Sequence, residues 1–215
     1  VSELSMGALT FGQEWGIGVN LKDSRDVLDA YFDAGGNFVD TANQYNEGNS
    51  EKIVGELIKD KRQRTVLATK YSLSMDRSDP NAGGNHRKNM VQAVEASLKR
   101  LGTDYIDLYW LHNWDYMTPV EEVMRAFDDL VRAGKVVYIG ISNAPAWVVS
   151  QGITLADLLG WSRFAAIQIE YSLVERTVER EQIPMARALD VAIVPWGPLA
   201  GGILTGKYSG DAEQA

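Results

Sequence analysis

The 215-residue chain contains no cysteine, which excludes a disulfide framework and thiolate metal ligands and suits a reducing compartment. Histidine is nearly as scarce. With only His86 and His112, and no His-Glu-x-x-His, metal-assisted hydrolysis has few ligands to work with, and no metal site is expected. Basic clusters are missing too: 21 Lys and Arg stand against 29 Asp and Glu, a net charge of -8, which argues against nucleic acid or an anionic membrane as partner. No apolar run approaches the roughly 20 residues of a membrane helix. Gly140-Ile141-Ser142-Asn143-Ala144 lacks the closing glycine of a serine hydrolase elbow. Low-complexity tracts are absent. The expectation is one cytoplasmic domain over residues 1–215, with a removed signal peptide left open because the chain starts at Val1 within a strand-like run.

What is present is enough apolar material, 45%, for one sizeable core, arranged in short runs about every thirty residues. Strands are predicted at Leu4–Thr10, Asn37–Thr41, Thr65–Lys70, Ile106–His112, Val136–Ser142, Ala165–Glu170 and Val191–Trp196. Amphipathic helices fill the intervals. Asp23 is the expected cap of one that Gly35-Gly36 ends, Ser50 caps another, and Thr118-Pro119-Val120-Glu121 reads as a capping box before a helix stopped at Gly134. Repeated βα units suit either a doubly wound sheet or a closed barrel. The first turn, Gly16-Ile17-Gly18, has Leu21 where the last glycine of a dinucleotide fingerprint belongs, so the α/β (β/α)8 TIM barrel is preferred. Only seven strands are visible. A barrel lacking its eighth strand would expose two edges, so a carboxyl-terminal segment and a short amino-terminal piece are expected to be absent from this sequence.

Three successive strand ends carry groups that move or hold protons: Asp40 with Tyr45 just beyond it, Lys70, and His112. In a parallel barrel those ends share one face, where reactive groups collect. Hydride delivery to a carbonyl carbon leaves charge on oxygen, which calls for a proton donor and positive potential. A tyrosine phenol is a reluctant acid, and a nearby ammonium should lower its pKa. Asp40 would keep a buried Lys70 charged, while His112 could orient the carbonyl oxygen. Taken singly, each residue also has a plain structural role open to it: a loop cap, a surface aromatic, a strand-end charge, a packed histidine. Trp15 and Trp114, in loops after the first and fourth strands, are expected to wall a substrate pocket, whereas Trp110 reads as core. The loop 72–87 overhangs the same face, as a solvated connection or a substrate-side flap.

These residues carry a resemblance to the aldo-keto reductases. It lies in Asp40-Thr41-Ala42-Asn43-Gln44-Tyr45 with Gly48 and Glu51, in Ala68-Thr69-Lys70, and in Leu101-Gly102-Thr103-Asp104-Tyr105-Ile106-Asp107-Leu108 leading to Leu111-His112. It continues in Gly140-Ile141-Ser142-Asn143, Gln168-Ile169-Glu170-Tyr171-Ser172 and Pro195-Trp196-Gly197-Pro198-Leu199-Ala200-Gly201-Gly202. The resemblance implies a (β/α)8 barrel and reduction of aldehydes or ketones with NADP(H). On that basis Tyr45 is the expected proton donor, Lys70 and Asp40 the pair that tunes it, and His112 the carbonyl-orienting group. Ser142, Asn143 and Gln168 would hold the nicotinamide carboxamide, and Trp196 would stack on its ring, with backbone at Ala8 and Leu9 beside them. Gly197, Pro198, Leu199, Gly201 and Lys207 would wrap the pyrophosphate, with Gly197 a departure from the family's usual serine. The choice of NADPH over NADH follows from resemblance alone, because the family's 2′-phosphate residues lie in the part expected to be missing. The partner implied is a small carbonyl compound, and monomer and homo-oligomer stay equally open.

The rival reading belongs to another class. The chain also resembles potassium-channel β subunits, which use this barrel as a nucleotide-binding accessory or sensor module with little turnover. His112 favours the enzyme, since it keeps the carbonyl-orienting group. A Schiff-base aldolase using Lys70 would leave Tyr45 and Trp196 without a role.

Overall fold

In the computed structural model, which describes residues 1–208, apolar side chains along the strands fall into two clusters divided largely by even and odd position, with Ile106, Val136 and Phe164 at strand starts siding with the odd-numbered set. The strands are β1 (Ser5–Gly7), β2 (Phe38–Asp40), β3 (Val66–Tyr71), β4 (Ile106–Leu111), β5 (Val136–Ser142), β6 (Phe164–Glu170) and β7 (Ala192–Trp196). All pair in parallel and in chain order, β1 to β7. That order belongs to a barrel wall rather than to a doubly wound sheet, whose strand order reverses. Even-numbered Phe38, Ala68, Leu108, Trp110 and Ala166 form one cluster on the inner face of the curled sheet. Odd-numbered Val39, Leu67, Tyr109, Leu111, Ile139, Ile141, Ile167 and Ile169 join the larger cluster beneath the helices. Period-two alternation thus builds two apolar layers from one set of strands. Among the described residues no eighth strand lies between β1 and β7, and residues 209–215 of the expected domain fall outside the description.

Helices α1 (Leu21–Asp33), α2 (Asn49–Ile58), α3 (Arg87–Leu101), α4 (Val120–Arg132), α5 (Ala146–Leu159) and α6 (Gln182–Ala188) follow β1, β2, β3, β4, β5 and β6 in turn. Three of the predicted caps are corrected. Asn20 caps α1 by accepting from the Asp23 backbone N–H at 3.0 Å, and its amide returns a bond to Asp23 Oδ2. Ser50 lies inside the first turn of α2, where its hydroxyl reaches the Ala8 carbonyl at 2.6 Å and the Thr41 hydroxyl at 2.8 Å. Thr118 gives its hydroxyl to Asp115 instead of to α4, because Pro119 occupies the cap position. Helices α2 and α3 pack so closely that a Cβ on Gly55 would sit 2.3 Å from the Leu101 carbonyl oxygen. Tyr71 and Tyr109 stack at 5.4 Å with Phe127 of α4 edge-on to both, which locks β3 and β4 under that helix.

Candidate active site

The carboxyl ends of the strands open into a cleft of about 660 Å³, a volume suited to small-molecule sites. Its lining includes Asp40, Tyr45, His112, Ser142, Asn143, Gln168, Trp196 and Gly197 among the expected residues. Gly7, Gln44, Leu73 and Asn113 line it as well, and the sequence reading missed them. Gly7 ends β1 and the other three lie in loops, and none carries a chemical signal that would single it out.

Lys70 is fully buried at the end of β3 and forms an ion pair with Asp40, itself only 8% exposed. A second ammonium N–H donates to the Thr41 carbonyl at 2.8 Å. Asp40 is enclosed by further donors. The indole N–H of Trp110 reaches its Oδ1 at 2.9 Å, and the Gln168 amide reaches Oδ2 at 3.3 Å. Trp110 is core, as expected, and it also holds Asp40.

Tyr45 begins a short 3-10 turn, Tyr45–Gly48, in which Asn46, Glu47 and Gly48 all take positive φ of 47°, 56° and 86°. Asn46 is fully buried and makes that turn rigid: its amide donates to the carbonyls of Leu9 and Phe11, and its oxygen accepts from the Trp15 backbone N–H at 3.3 Å. Asn46 was also missed in the sequence, where nothing marks a left-handed residue beyond its being asparagine. The tie helps hold Trp15 edge-on to Tyr45 at 6.2 Å between ring centroids, and Trp15 lines the cleft, the wall position expected of it.

The Lys70 ammonium lies 4.9 Å from the Tyr45 ring centroid, and the His112 imidazole meets that ring edge-on at 5.8 Å. Burial raises the Tyr45 pKa above its usual 10; Lys70 opposes the rise, and Asp40 adds to it. The expected lowering is therefore corrected in net direction, because desolvation of the phenolate outweighs the nearby ammonium. Burial and then Lys70 push the His112 imidazole down to about 3, so it is neutral at ordinary pH. Its buried Nδ1 has no protein partner. A neutral imidazole offers one N–H, enough to orient a carbonyl oxygen.

Beside this group lie the ends of β5, β6 and β7. Ser142 is 1% exposed and its hydroxyl has no partner, an orphaned donor and acceptor on the cleft wall. Asn143, at φ 48°, donates to the His112 carbonyl at 3.1 Å and accepts from the Trp196 indole at 3.3 Å. Trp196 is 41% exposed. An amide-bearing ring with a flat face therefore has a fitting set of hydrogen-bonding groups and an aromatic surface here. Of the two backbone positions expected beside it, Leu9 lines the cleft and fully buried Ala8 does not.

Pro198, Leu199, Gly201 and Lys207 are exposed and belong to the connection beyond β7, whose residues Ala200–Thr205 form a 3-10 turn. Of that predicted loop only Gly197 borders the cleft. Trp114 is corrected: it is 7% exposed, packs in the core cluster, and does not line the cleft. The loop 72–87 does contribute a wall through Leu73, and it is pinned to the next loop by reciprocal bonds between Asn85 and Asp115, each 2.8 Å. Among the described residues there is no group of three His, Asp or Glu that could hold a metal ion, and no helix is long and apolar enough to cross a membrane.

A sequence model of the Aldo/keto reductase family matches residues 3–215. The chain is 44% identical over 212 residues to norsolorinic acid reductase stcV of Emericella nidulans, a match covering 94% of the chain and 55% of that protein. It is 40% identical over 228 residues to the aryl-alcohol dehydrogenase [NADP(+)] of Phanerodontia chrysosporium, covering 100% of the chain and 58% of that protein. A putative aryl-alcohol dehydrogenase of Saccharomyces cerevisiae, AAD14, is 38% identical over 218 residues, with 96% and 58% covered. The chain thus spans little more than half the length of these curated relatives.

Proposed function

Because the chain belongs to the aldo/keto reductase family, we propose that it is an NADP(H)-dependent oxidoreductase that reduces aldehydes or ketones to alcohols, with Tyr45 as proton donor. The observation that carries this reading is the packing of Tyr45, Lys70, Asp40 and His112 at one end of the cleft. When bound, the dihydronicotinamide supplies a hydride to the carbonyl carbon. The residues of the chain supply the rest. His112, neutral and at the cleft wall, orients the carbonyl oxygen by a hydrogen bond. Tyr45 gives its proton to that oxygen as charge develops, and the Lys70 ammonium stabilises the phenolate left behind. Asp40 holds the ammonium in place against the cost of burying it. The Ser142 hydroxyl, the Asn143 and Gln168 amides and the exposed face of Trp196 would hold the nicotinamide, and Gly197 would begin the stretch that meets the pyrophosphate, with Pro198, Leu199, Gly201 and Lys207 beyond it. The name of the aryl-alcohol dehydrogenases among the relatives favours aromatic carbonyl compounds, and Trp15, Tyr45 and Leu73 give the cleft suitable walls.

The test is a Tyr45→Phe variant assayed for NADPH oxidation against a panel of aromatic and aliphatic aldehydes. Reduction should fall by about 100-fold or more, the usual scale for a lost general acid, while saturable quenching of tryptophan fluorescence by NADPH persists. Wild-type turnover by the variant would remove Tyr45 from the role. Quenching without turnover in the wild-type protein would instead favour an accessory nucleotide-binding module.

A further inference from the structure

Trp110 is the largest fully buried side chain of the described residues, and it lies on the inner face of the sheet, one alternate position before His112. Its indole donates to Asp40 Oδ1 at 2.9 Å, across 70 residues of sequence. Lys70 and the Gln168 amide both use the other oxygen, Oδ2. Without a partner on Oδ1, the carboxylate plane would turn freely about its soft terminal torsion. A donor on each oxygen fixes that plane and therefore the direction in which Asp40 draws the ammonium. An indole suits the task, because it only donates and cannot compete for Lys70.

The neighbouring strand makes room for this contact. Trp110 is in register with Gly140 of β5, and a Cβ on Gly140 would lie 2.4 Å from two carbons of the indole ring. The β5–β6 register also shifts at Ile139 and Gly140, so the backbone there is already irregular. A side chain at position 140 would drive the indole off its site.

We propose that Trp110 is a positioning residue for the reduction: from inside the sheet its N–H orients Asp40, so that the paired Lys70 is aimed at Tyr45, and Gly140 is the opening that lets the indole lie there. The inference rests on the reading of the cleft as a carbonyl-reducing site. Tyr45 is faced by Lys70, Asp40 and His112, and Lys70 is the group that counteracts the upward pull of burial on the phenol. A misaimed ammonium counteracts it less.

The experiment compares wild type, Trp110→Phe, Gly140→Ala and the double variant for pH-dependent carbonyl reduction and for NADPH binding by fluorescence quenching. Trp110→Phe should lower kcat about tenfold, the effect of one hydrogen bond to a charged group, and move the alkaline limb of the reduction profile to higher pH. KM for the carbonyl compound and the NADPH dissociation constant should stay within about twofold, since the buried indole does not line the cleft. Gly140→Ala attacks the same contact from the other strand and should reproduce that signature, so the result does not depend on either variant folding alone. The double variant should lose no more than the worse single one. An unchanged kcat and limb in both single variants would overturn the inference while leaving the functional reading intact. So would a loss of kcat with the limb in place and NADPH affinity falling in step, which marks general packing damage. A wild-type protein that reduces no carbonyl compound overturns the functional reading, and this inference with it.

Discussion

A lysine ammonium with no exposure at all is costly to bury, and its neighbours account for it. Lys70 spends two donors on Asp40 and Thr41 and turns toward the face of Tyr45. Replacing it with Met keeps the length of the chain but strands Asp40 in the interior with only Trp110 and Gln168 as donors. Lys70→Met should therefore destabilise the fold by about 3–5 kcal/mol, read from a urea midpoint, and abolish measurable reduction. An unshifted midpoint would mean that the pair is not the buried anchor described. At this scale the sequence was readable for Asp40, Tyr45, Lys70 and His112, because each ends or follows an apolar strand. It was not readable for the indole of Trp110 or the amide of Asn46. Both look like packing or turn residues until their partners, Asp40 and the loop from Leu9 to Trp15, are brought near by folding.

Elements are held together by contacts that leave little slack. Helix α2 is tied to the ends of β1 and β2 by Ser50, to β3 by Glu51 bonding Thr69 at 2.6 Å, and to α3 by Glu51 pairing with Arg100 at 2.6 Å. Gly55 is where α2 meets the last turn of α3, and the obstacle to a Cβ there is backbone, which cannot swing aside as a side chain can. Gly55→Ala should destabilise by about 1–3 kcal/mol despite the better helix propensity of alanine, a sign opposite to that expected at an exposed helix position. Thermal unfolding would decide it: a raised Tm would place the two helices farther apart. Strands were predicted within a few residues because each is a compact apolar run, buried on both faces along most of β2, β3, β4 and β6 and less covered in the edge strands β1 and β7. Helix caps were predicted less well. Ser50 and Thr118 have the right chemistry for capping, but stronger partners at Ala8, Thr41 and Asp115 claim their hydroxyls.

For the whole molecule the acidic side of the stability profile carries the mark of the site. His112 has an ordinary pKa of 6.5 and a folded value of about 3, so the unfolded chain binds a proton that the folded one refuses. Stability from this group is complete above about 6.5 and is lost progressively as pH falls toward about 3. Asp115 and Asp128, held below the usual carboxylate value of 3.8 mainly by hydrogen bonds that outweigh their burial, act in the same direction but lower in pH. Urea midpoints should thus begin to drop between pH 6.5 and 4 in the wild type, and His112→Asn should flatten that stretch. A wild-type profile already flat there would show the imidazole to be far more accessible than its burial implies.

Short apolar runs recurring about every thirty residues, with amphipathic helices between them, settled in advance that seven strands would stand side by side with helices over one face. They also settled that four proton-handling groups would gather at the strand ends, since both properties follow from local periodicity and chain order. Folding alone decided which aromatic residues face the cleft and which pack away, sending Trp114 into the core and giving Trp110 a polar task inside the sheet. It also decided the direction of the Tyr45 shift, because the contest between desolvation and a neighbouring charge depends on distances and burial that no local pattern encodes.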